Sequence, residues 1–345
     1  MEDLTTTNNA VAEAKSGCVN CGNPQIVEGY ANALCKPCRD GFNKLSIPLW
    51  VKLFGAFVLL LFVVAIFEIP TNFSTALSLA KAEKAEKEGK YLTSQRELEK
   101  IIDKAPDAIE IPGHLLIAAF YNLDYKTLGQ MARKLTGKTF EDTALVHQIN
   151  YLESKANNYF PTDSFMVVAK PYNAKFDAIP ESVYKQYIDK NPADLFARYN
   201  YAAKFFDTDK KKCDSLTDRI LAIDPEYIFA LQLKTSVKRE IKQLDSSLYY
   251  CDKMVAINHE LPLALSTKAR TILKQGKKAE GLKMAKSSYG LNYKDGYTIA
   301  TLALAYHLNG NTTERDALIA KTDRDSSDLG YMQYTKDVIS GKVTF

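Results

Sequence analysis

Three patterns of apolar and polar positions follow one another along the chain. Leu49 to Phe67 carries one charge, Lys52, in nineteen positions, and Leu53 to Phe67 is apolar without interruption. After it, "ALSLAKAEKAEKEGKYLTSQRELEKIIDKAPD" reads as helix, broken at Gly89-Lys90-Tyr91 and ended by Pro106. Before it, "CVNCGNPQIVEGYANALCKPCRDGF" has no sustained period, only turn residues and a short strand signal at Ile26 and Val27. Strand signals are scarce elsewhere, so the pattern predicts a mainly α protein.

The apolar run is about as long as the roughly 20 residues that cross a bilayer. Lys52 sits near one end, where its ammonium can reach the headgroups, and Trp50 stands where interfacial aromatics are favoured. A single transmembrane helix is therefore expected over 47–69. Lys36, Arg39, Lys44 and Lys52 precede it, whereas Glu68 follows and no basic residue comes before Lys81. That bias puts the N-terminus in the cytoplasm and the C-terminal part outside it, in a periplasm or the extracellular space.

The long C-terminal part repeats. "AIDPEYIFAL" begins at Ala222, "AINHELPLAL" at Ala256 and "GLNYKDGYTI" at Gly290, in steps of 34 residues, with "DKNPADLFAR" at Asp189 before them. Small residues recur at helix contacts: Gly276, Gly281 and Ala285 in one unit, Ser247 and Cys251 in another, and Ala82, Gly89 and Ser94 in the unit nearest the apolar run. This spacing of helix–turn–helix units resembles the tetratricopeptide repeat (TPR), with Leu302, Ala303 and Tyr306 matching its first-helix pattern. No unit has that family's Trp, and Asn258-His259 and Asn292-Tyr293 stand in place of its terminal proline. Residues 155–185, with Pro161, Pro171 and Pro180, match poorly.

The expected fold class is a TPR-like helical solenoid with a small zinc ribbon and one transmembrane helix. The expected organisation is a module at 1–46, the membrane helix at 47–69, helical pairs at 73–140, an irregular stretch at 141–188 and TPR-like repeats at 189–345. The resemblance implies a concave face of first-helix side chains. By register, Phe229, Arg239, Arg270, Lys274, Tyr297 and His307 are its candidates, able to grip an extended protein or peptide with acidic or C-terminal carboxylate groups.

Four of the six cysteines form two pairs, Cys18-Val-Asn-Cys21 and Cys35-Lys-Pro-Cys38, thirteen residues apart. Four thiolates suit tetrahedral zinc in a closed structural site. A module this short has little core, so a metal would supply much of its folding free energy. Cys213 and Cys251 fall outside this set and at non-equivalent register positions.

Composition is that of a folded protein, with 46% hydrophobic and 25% charged residues. The 45 basic and 41 acidic residues are interspersed for a net +4, which gives nucleic-acid binding little footing. His114, His147, His259 and His307 are scattered, and no phosphate-cradling glycine loop or nucleophile elbow is present. The chain is expected to be a non-enzymatic, membrane-anchored scaffold that binds a protein or peptide. The alternatives are a membrane-bound regulator whose ribbon contacts nucleic acid or a transcription factor, and an enzyme with its site in the irregular stretch.

Overall fold

The computed structural model describes residues 17–43, 47–322 and 329–345, the side chains of 43, 65–72 and 329–330 excepted. It separates into two compact units, Met1–Thr71 and Asn72–Phe345.

In the first unit, loops over 17–35 lead into a short helix, α1 (Lys36–Asn43). No strand forms among the described residues. The one expected at Ile26–Val27 is reduced to a single backbone bond, Val27 N–H to the Leu34 carbonyl at 3.0 Å. Pro24 and Gly29 flank it, and neither favours an extended ladder.

A long helix follows, α2 (Leu49–Lys87). It passes Pro70 without a break, although a proline removes one backbone bond. The Ala-, Leu-, Lys- and Glu-rich run beyond it has high helix propensity, so the helix continues past the expected end at 69. Leu49, Trp50, Leu53, Phe54, Phe57 and Leu59 to Phe62 are all more than half exposed. Among the described residues, however, no helix is long and apolar enough to cross a membrane. The described apolar side chains stop at Val64, short of the roughly 20 residues that a crossing needs. The transmembrane helix expected over 47–69 is therefore not found there.

The second unit is a TPR-like array of helix pairs. Its early helices are α3 (Tyr91–Glu99), α4 (Glu110–Tyr121), α5 (Tyr125–Leu135) and α6 (Thr143–Ala156). Asp124 and Asp142 cap α5 and α6 by accepting backbone N–H bonds. Then come the short α7 (Asp163–Ala169) and α8 (Glu181–Lys190), separated by 3-10 turns at Lys170–Tyr172 and Phe176–Ala178. The prolines make this stretch irregular, but it keeps a core. Phe165, Ile179, Tyr184 and Tyr187 form a core of their own with Ala197 and Tyr201.

The regular part pairs α9 (Leu195–Ala203) with α10 (Lys210–Ile223), α11 (Ile228–Glu240) with α12 (Leu244–Ile257), α13 (Pro262–Lys274) with α14 (Lys278–Leu291), and α15 (Gly296–Leu308) with α16 (Thr312–Thr322). The second helices start at Lys210, Leu244, Lys278 and Thr312, each 34 residues after the last. The last helix is α17 (Leu329–Ile339).

The period has a packing cause. Ala202, Thr235, Ala269 and Ala303 occupy one register position on the first helices, and all are fully buried. Cys213 and Ser247 stand opposite on the second helices, also fully buried, with Gly281 next in register. Ser247 Oγ donates to the Thr235 carbonyl at 3.0 Å, and a Cβ at Gly281 would stand 3.3 Å from the Ala269 carbonyl and 2.5 Å from Leu273 Cγ. Only small side chains fit such a contact. Cys213 and Cys251 are thus buried free thiols that serve as small packing residues.

The array also closes on itself. His259 N–H donates to the Gly89 carbonyl at 2.8 Å, and its ring nitrogen Nδ1 lies 2.7 Å from the Glu88 carbonyl. Glu260 accepts from Thr93 N–H and Thr93 Oγ1, both at 2.7 Å, and Asn258 donates to the Tyr121 carbonyl at 3.0 Å. Gly89, at φ +66, admits this approach, since a Cβ there would stand 3.2 Å from the His259 ring. At one of the two places without a terminal proline, His259 and the following Glu260 fasten the α12–α13 turn to the start of α3 and the turn before it, while Asn258 bonds the end of α4.

Gly281→Val forces Leu273 and the α13 backbone apart. It should cost about 1–3 kcal/mol and lower the thermal midpoint of the second unit, read by circular dichroism. An unchanged midpoint would show that the small-residue contact does not set the packing.

Candidate functional site

Two groups of chemistry-bearing side chains stand out, one in each unit. In the first unit the sulfurs of Cys18, Cys21, Cys35 and Cys38 all lie within 4.8 Å of one another. Cys18 and Cys35 are buried and Cys21 is exposed. Gly22, at φ +75, turns the first knuckle, and its N–H bonds the Cys18 carbonyl at 2.8 Å. Cys35 precedes α1 and Cys38 sits in its first turn. Asn20 Nδ2 donates to Cys38 Sγ at 3.4 Å. Arg39 Nη2 holds the Asn32 carbonyl at 3.1 Å, and its guanidinium lies 3.6 Å from the centre of the Tyr30 ring.

The sulfurs interfere with one another electrostatically. Hydrogen bonding, from the Cys35 backbone first, draws the Cys18 thiol down to about 6. Cys21 gains a similar bond at Asn23, but the other three sulfurs outweigh it and push the thiol up to about 12. Cys21 Sγ and Cys35 Sγ stand 3.4 Å apart, a distance that two bare thiolates do not tolerate. The four together form a donor set that a cation can neutralise. The expected metal ligands are therefore gathered in one place and could hold a metal ion such as zinc.

In the second unit, the first-helix face between α11 and α15 gathers most of the candidates for peptide binding. Arg270, buried on α13, donates from Nε to Thr301 Oγ1 of α15 at 2.8 Å and stacks over the Tyr297 ring at 4.6 Å. Arg239, buried on α11, reaches Ser236 Oγ at 3.5 Å and has Glu240 at 3.7 Å. Arg239 Nη1 and Arg270 Nη2 are both buried with no hydrogen-bond partner among the described residues. Burial pulls the Arg270 pKa below its ordinary value, with Arg239 pushing the same way. Nearby cations are treated differently. The buried Lys234 pairs with Asp214 at 2.7 Å and Asp218 at 2.6 Å, and Lys238 pairs with Asp214 at 2.8 Å.

Across this face lies α17. Tyr331 meets Tyr297 edge to face at 5.0 Å, and the Tyr334 ring stands 5.9 Å from the Arg270 guanidinium. Thr335 Oγ1 donates to the Ala300 carbonyl at 3.2 Å. The Lys274 ammonium lies 4.9 Å from the ring of Phe345 at the chain end. Burial pushes the Tyr199 phenol of α9 up to about 12, and the Tyr331 hydroxyl pushes the same way. The α17 segment thus packs on α15 and, with the tail, reaches α13.

Two candidates stand apart from the arginines. Phe229 packs in an aromatic cluster with Tyr159, Tyr199 and Tyr227 at 5.3–5.9 Å. His307 turns toward Arg315 of α16, with Nδ1 and Nη1 3.1 Å apart. Sequence reasoning missed Tyr331, Tyr334 and the whole placement of α17. The tyrosines at 331 and 334 share a helix face, but the repeat pattern ends before them, so register could not place them.

A cavity of about 770 Å³ lies elsewhere. It is mostly apolar, bounded by Leu116, Tyr125, Phe140, Val146, His147 and Ile149 of α4 to α6 and the loop at 140.

No family model and no curated relative matches this chain. Among solved structures, yeast Tom70 is similar at 11% identity and TM-score 0.41 over 73% of this chain, which spans 58% of the yeast protein. A tetratricopeptide repeat protein from Parabacteroides merdae gives 12% identity and TM-score 0.41, over 77% of this chain and 98% of its own. The TPR2AB domain of yeast Sti1, seen with pHSP90, gives 11% and 0.29, over 72% and 97%. Scores this low describe loose superpositions, so the fold rests on the helix pairs themselves.

His114 of α4 is a titratable contact that the sequence did not pair. Its Nδ1 lies 2.8 Å from Glu86 of α2, which also accepts from Ser94 Oγ at 2.8 Å. Burial opposes its charge, but the bond to Glu86 and the charges of Glu86, Glu83 and Asp142 outweigh that and raise its pKa. A raised folded-state pKa means stability that is fully present below the unfolded value of about 6.5 and lost as pH climbs through the folded value. His114→Gln should therefore flatten the fall in melting temperature over that window. An identical fall in both proteins would show that the pair does not carry it.

Proposed function

We propose that this chain is a non-enzymatic scaffold, held in a membrane by one helix within 47–69, that binds a protein or peptide through the first-helix face of its helical array. The observation that carries the reading is the gathering of Arg239, Arg270, Lys274 and Tyr297 along one face of successive pairs. Buried guanidinium groups that each keep a nitrogen without an acceptor on such a face favour a partner that brings carboxylates. The apolar stretch of the sequence from Leu53 to Phe67 and the basic residues before it support the anchor, with the N-terminus cytoplasmic.

The four cysteines hold one structural zinc ion in this reading. The gathered donors are all thiolates, which suits a closed tetrahedral site and leaves no open position for chemistry. Engagement of Arg39 by Tyr30 and Asn32 leaves the module fewer basic groups for phosphate, which disfavours the nucleic-acid reading.

Elemental analysis of the purified full chain should give one zinc per molecule, and Cys35→Ser should lower that content sharply; a metal-free chain with folded 17–43 would overturn the assignment. For the scaffold, crosslinking and mass spectrometry on native membranes should recover a partner joined to α11, α13 or α15. Partners joined only elsewhere, or recovery of the chain in the soluble fraction, would count against it.

A further inference from the structure

The face assigned to a partner is already covered by part of the same chain. The α17 helix does so with limited means. Of its described side chains only Met332, Thr335 and Val338 are buried, whereas α15 beneath it buries nine. An isolated helix of eleven residues is marginal in water, so α17 depends on this docking for its own order. Elements with so few buried contacts open first.

The chemistry of the contact is also incomplete. Above Arg270, α17 presents the Tyr334 ring, whose phenol burial keeps neutral. Its carboxylate, Asp337, is engaged elsewhere, accepting from Gln333 Nε2 at 2.9 Å with Lys342 at 3.8 Å. Among the described residues the two guanidinium groups therefore keep buried nitrogens unsatisfied, although the same array supplies aspartates to Lys234 and Lys238. A buried cation is stabilised when a carboxylate meets it in good geometry and is costly otherwise.

We propose that α17, with the tail to Phe345, is a displaceable internal occupant of the peptide-binding face, and that the segment displacing it is a short amphipathic helix with a carboxylate near the position of Tyr334. This rests on reading that face as the binding surface. It adds that the free protein is held closed and that the partner's acidic side chain completes the arginine pair.

The test uses the full chain and two fluorescent peptides: residues 329–345 of this protein, and the same peptide with Tyr334→Glu. Met332→Asp with Val338→Asp places carboxylates at two buried positions of α17 and undocks it. With the internal competitor gone, affinity for the 329–345 peptide should rise roughly ten- to hundredfold, since binding no longer waits on a minor open state. The Tyr334→Glu peptide should bind this variant about tenfold tighter than the parent peptide, and Arg270→Met should abolish that preference. Hydrogen exchange in the unmodified chain should be faster over 331–339 than over α13 and α15. Equal affinity of wild type and undocked variant, with helicity retained, overturns the proposal, as does exchange in α17 as slow as in α15. Native-membrane crosslinks that miss the first-helix face would defeat the scaffold reading while leaving the peptide result in place. The peptide assay can fail with the native partner still found there.

Discussion

The contact between each second helix and its first helix has no room for a large side chain, and the rest of the array follows from that constraint. Where Ser247 bonds the Thr235 carbonyl and Gly281 faces the Ala269 carbonyl, two backbones approach until only a hydroxymethyl or a hydrogen separates them. Repetition of that approach every 34 residues aligns α9, α11, α13 and α15 on one side. Arg239, Arg270 and Tyr297 then come together from three different helices. The small residues have no chemistry to offer, yet they decide which chemistry-bearing residues share a face.

Closure of the array adds rigidity to that face. The Asn258-His259-Glu260 turn holds the α2–α3 turn by four backbone or side-chain bonds across about 170 residues of chain, and Arg96 adds a bond to the Leu291 carbonyl at 2.7 Å. The entropy of closing so long a loop grows only slowly with its length, so a few polar contacts and the shared core can sustain it. That core runs from Leu116 and Phe120 of α4 to Leu261 and Ala264 at the start of α13. A face held from both ends is preorganised, which lowers the ordering cost of any segment that docks there.

The sequence carried the period, the small register positions and the four sulfurs, because each is a local or strictly repeated feature. Spacing alone placed Cys18, Cys21, Cys35 and Cys38, since a CxxC turn converges its two thiols wherever it folds. The misses share a different cause. The bonds of His259 and Glu260 to the α2–α3 turn, the pairing of His114 with Glu86 and the docking of α17 all join residues far apart in the chain, with no repeat to set their register. His307 shows the limit within the repeat as well. Register put it on the first-helix face, but Arg315 on the next helix holds its ring. A periodic pattern gives the side of a helix, and long-range partners then choose the rotamer.

The two candidate sites pose one electrostatic problem with opposite signs. In the first unit four sulfurs crowd within 4.8 Å, and ionising all of them is prohibitive until a cation enters. In the second, two buried guanidiniums keep nitrogens without acceptors, although the same array places aspartates beside Lys234 and Lys238 a turn away. A fold that satisfies its lysines so closely has the means to satisfy its arginines. Leaving like charges uncompensated lowers stability in the isolated chain. In the proposed reading it also suits each group to one kind of complement, a soft divalent metal for the thiolates and a carboxylate for the arginines. The metal would remain as a permanent part of its fold, because its module has little other core. The carboxylate would come and go, because α17 already supplies enough apolar cover to keep the face closed without it.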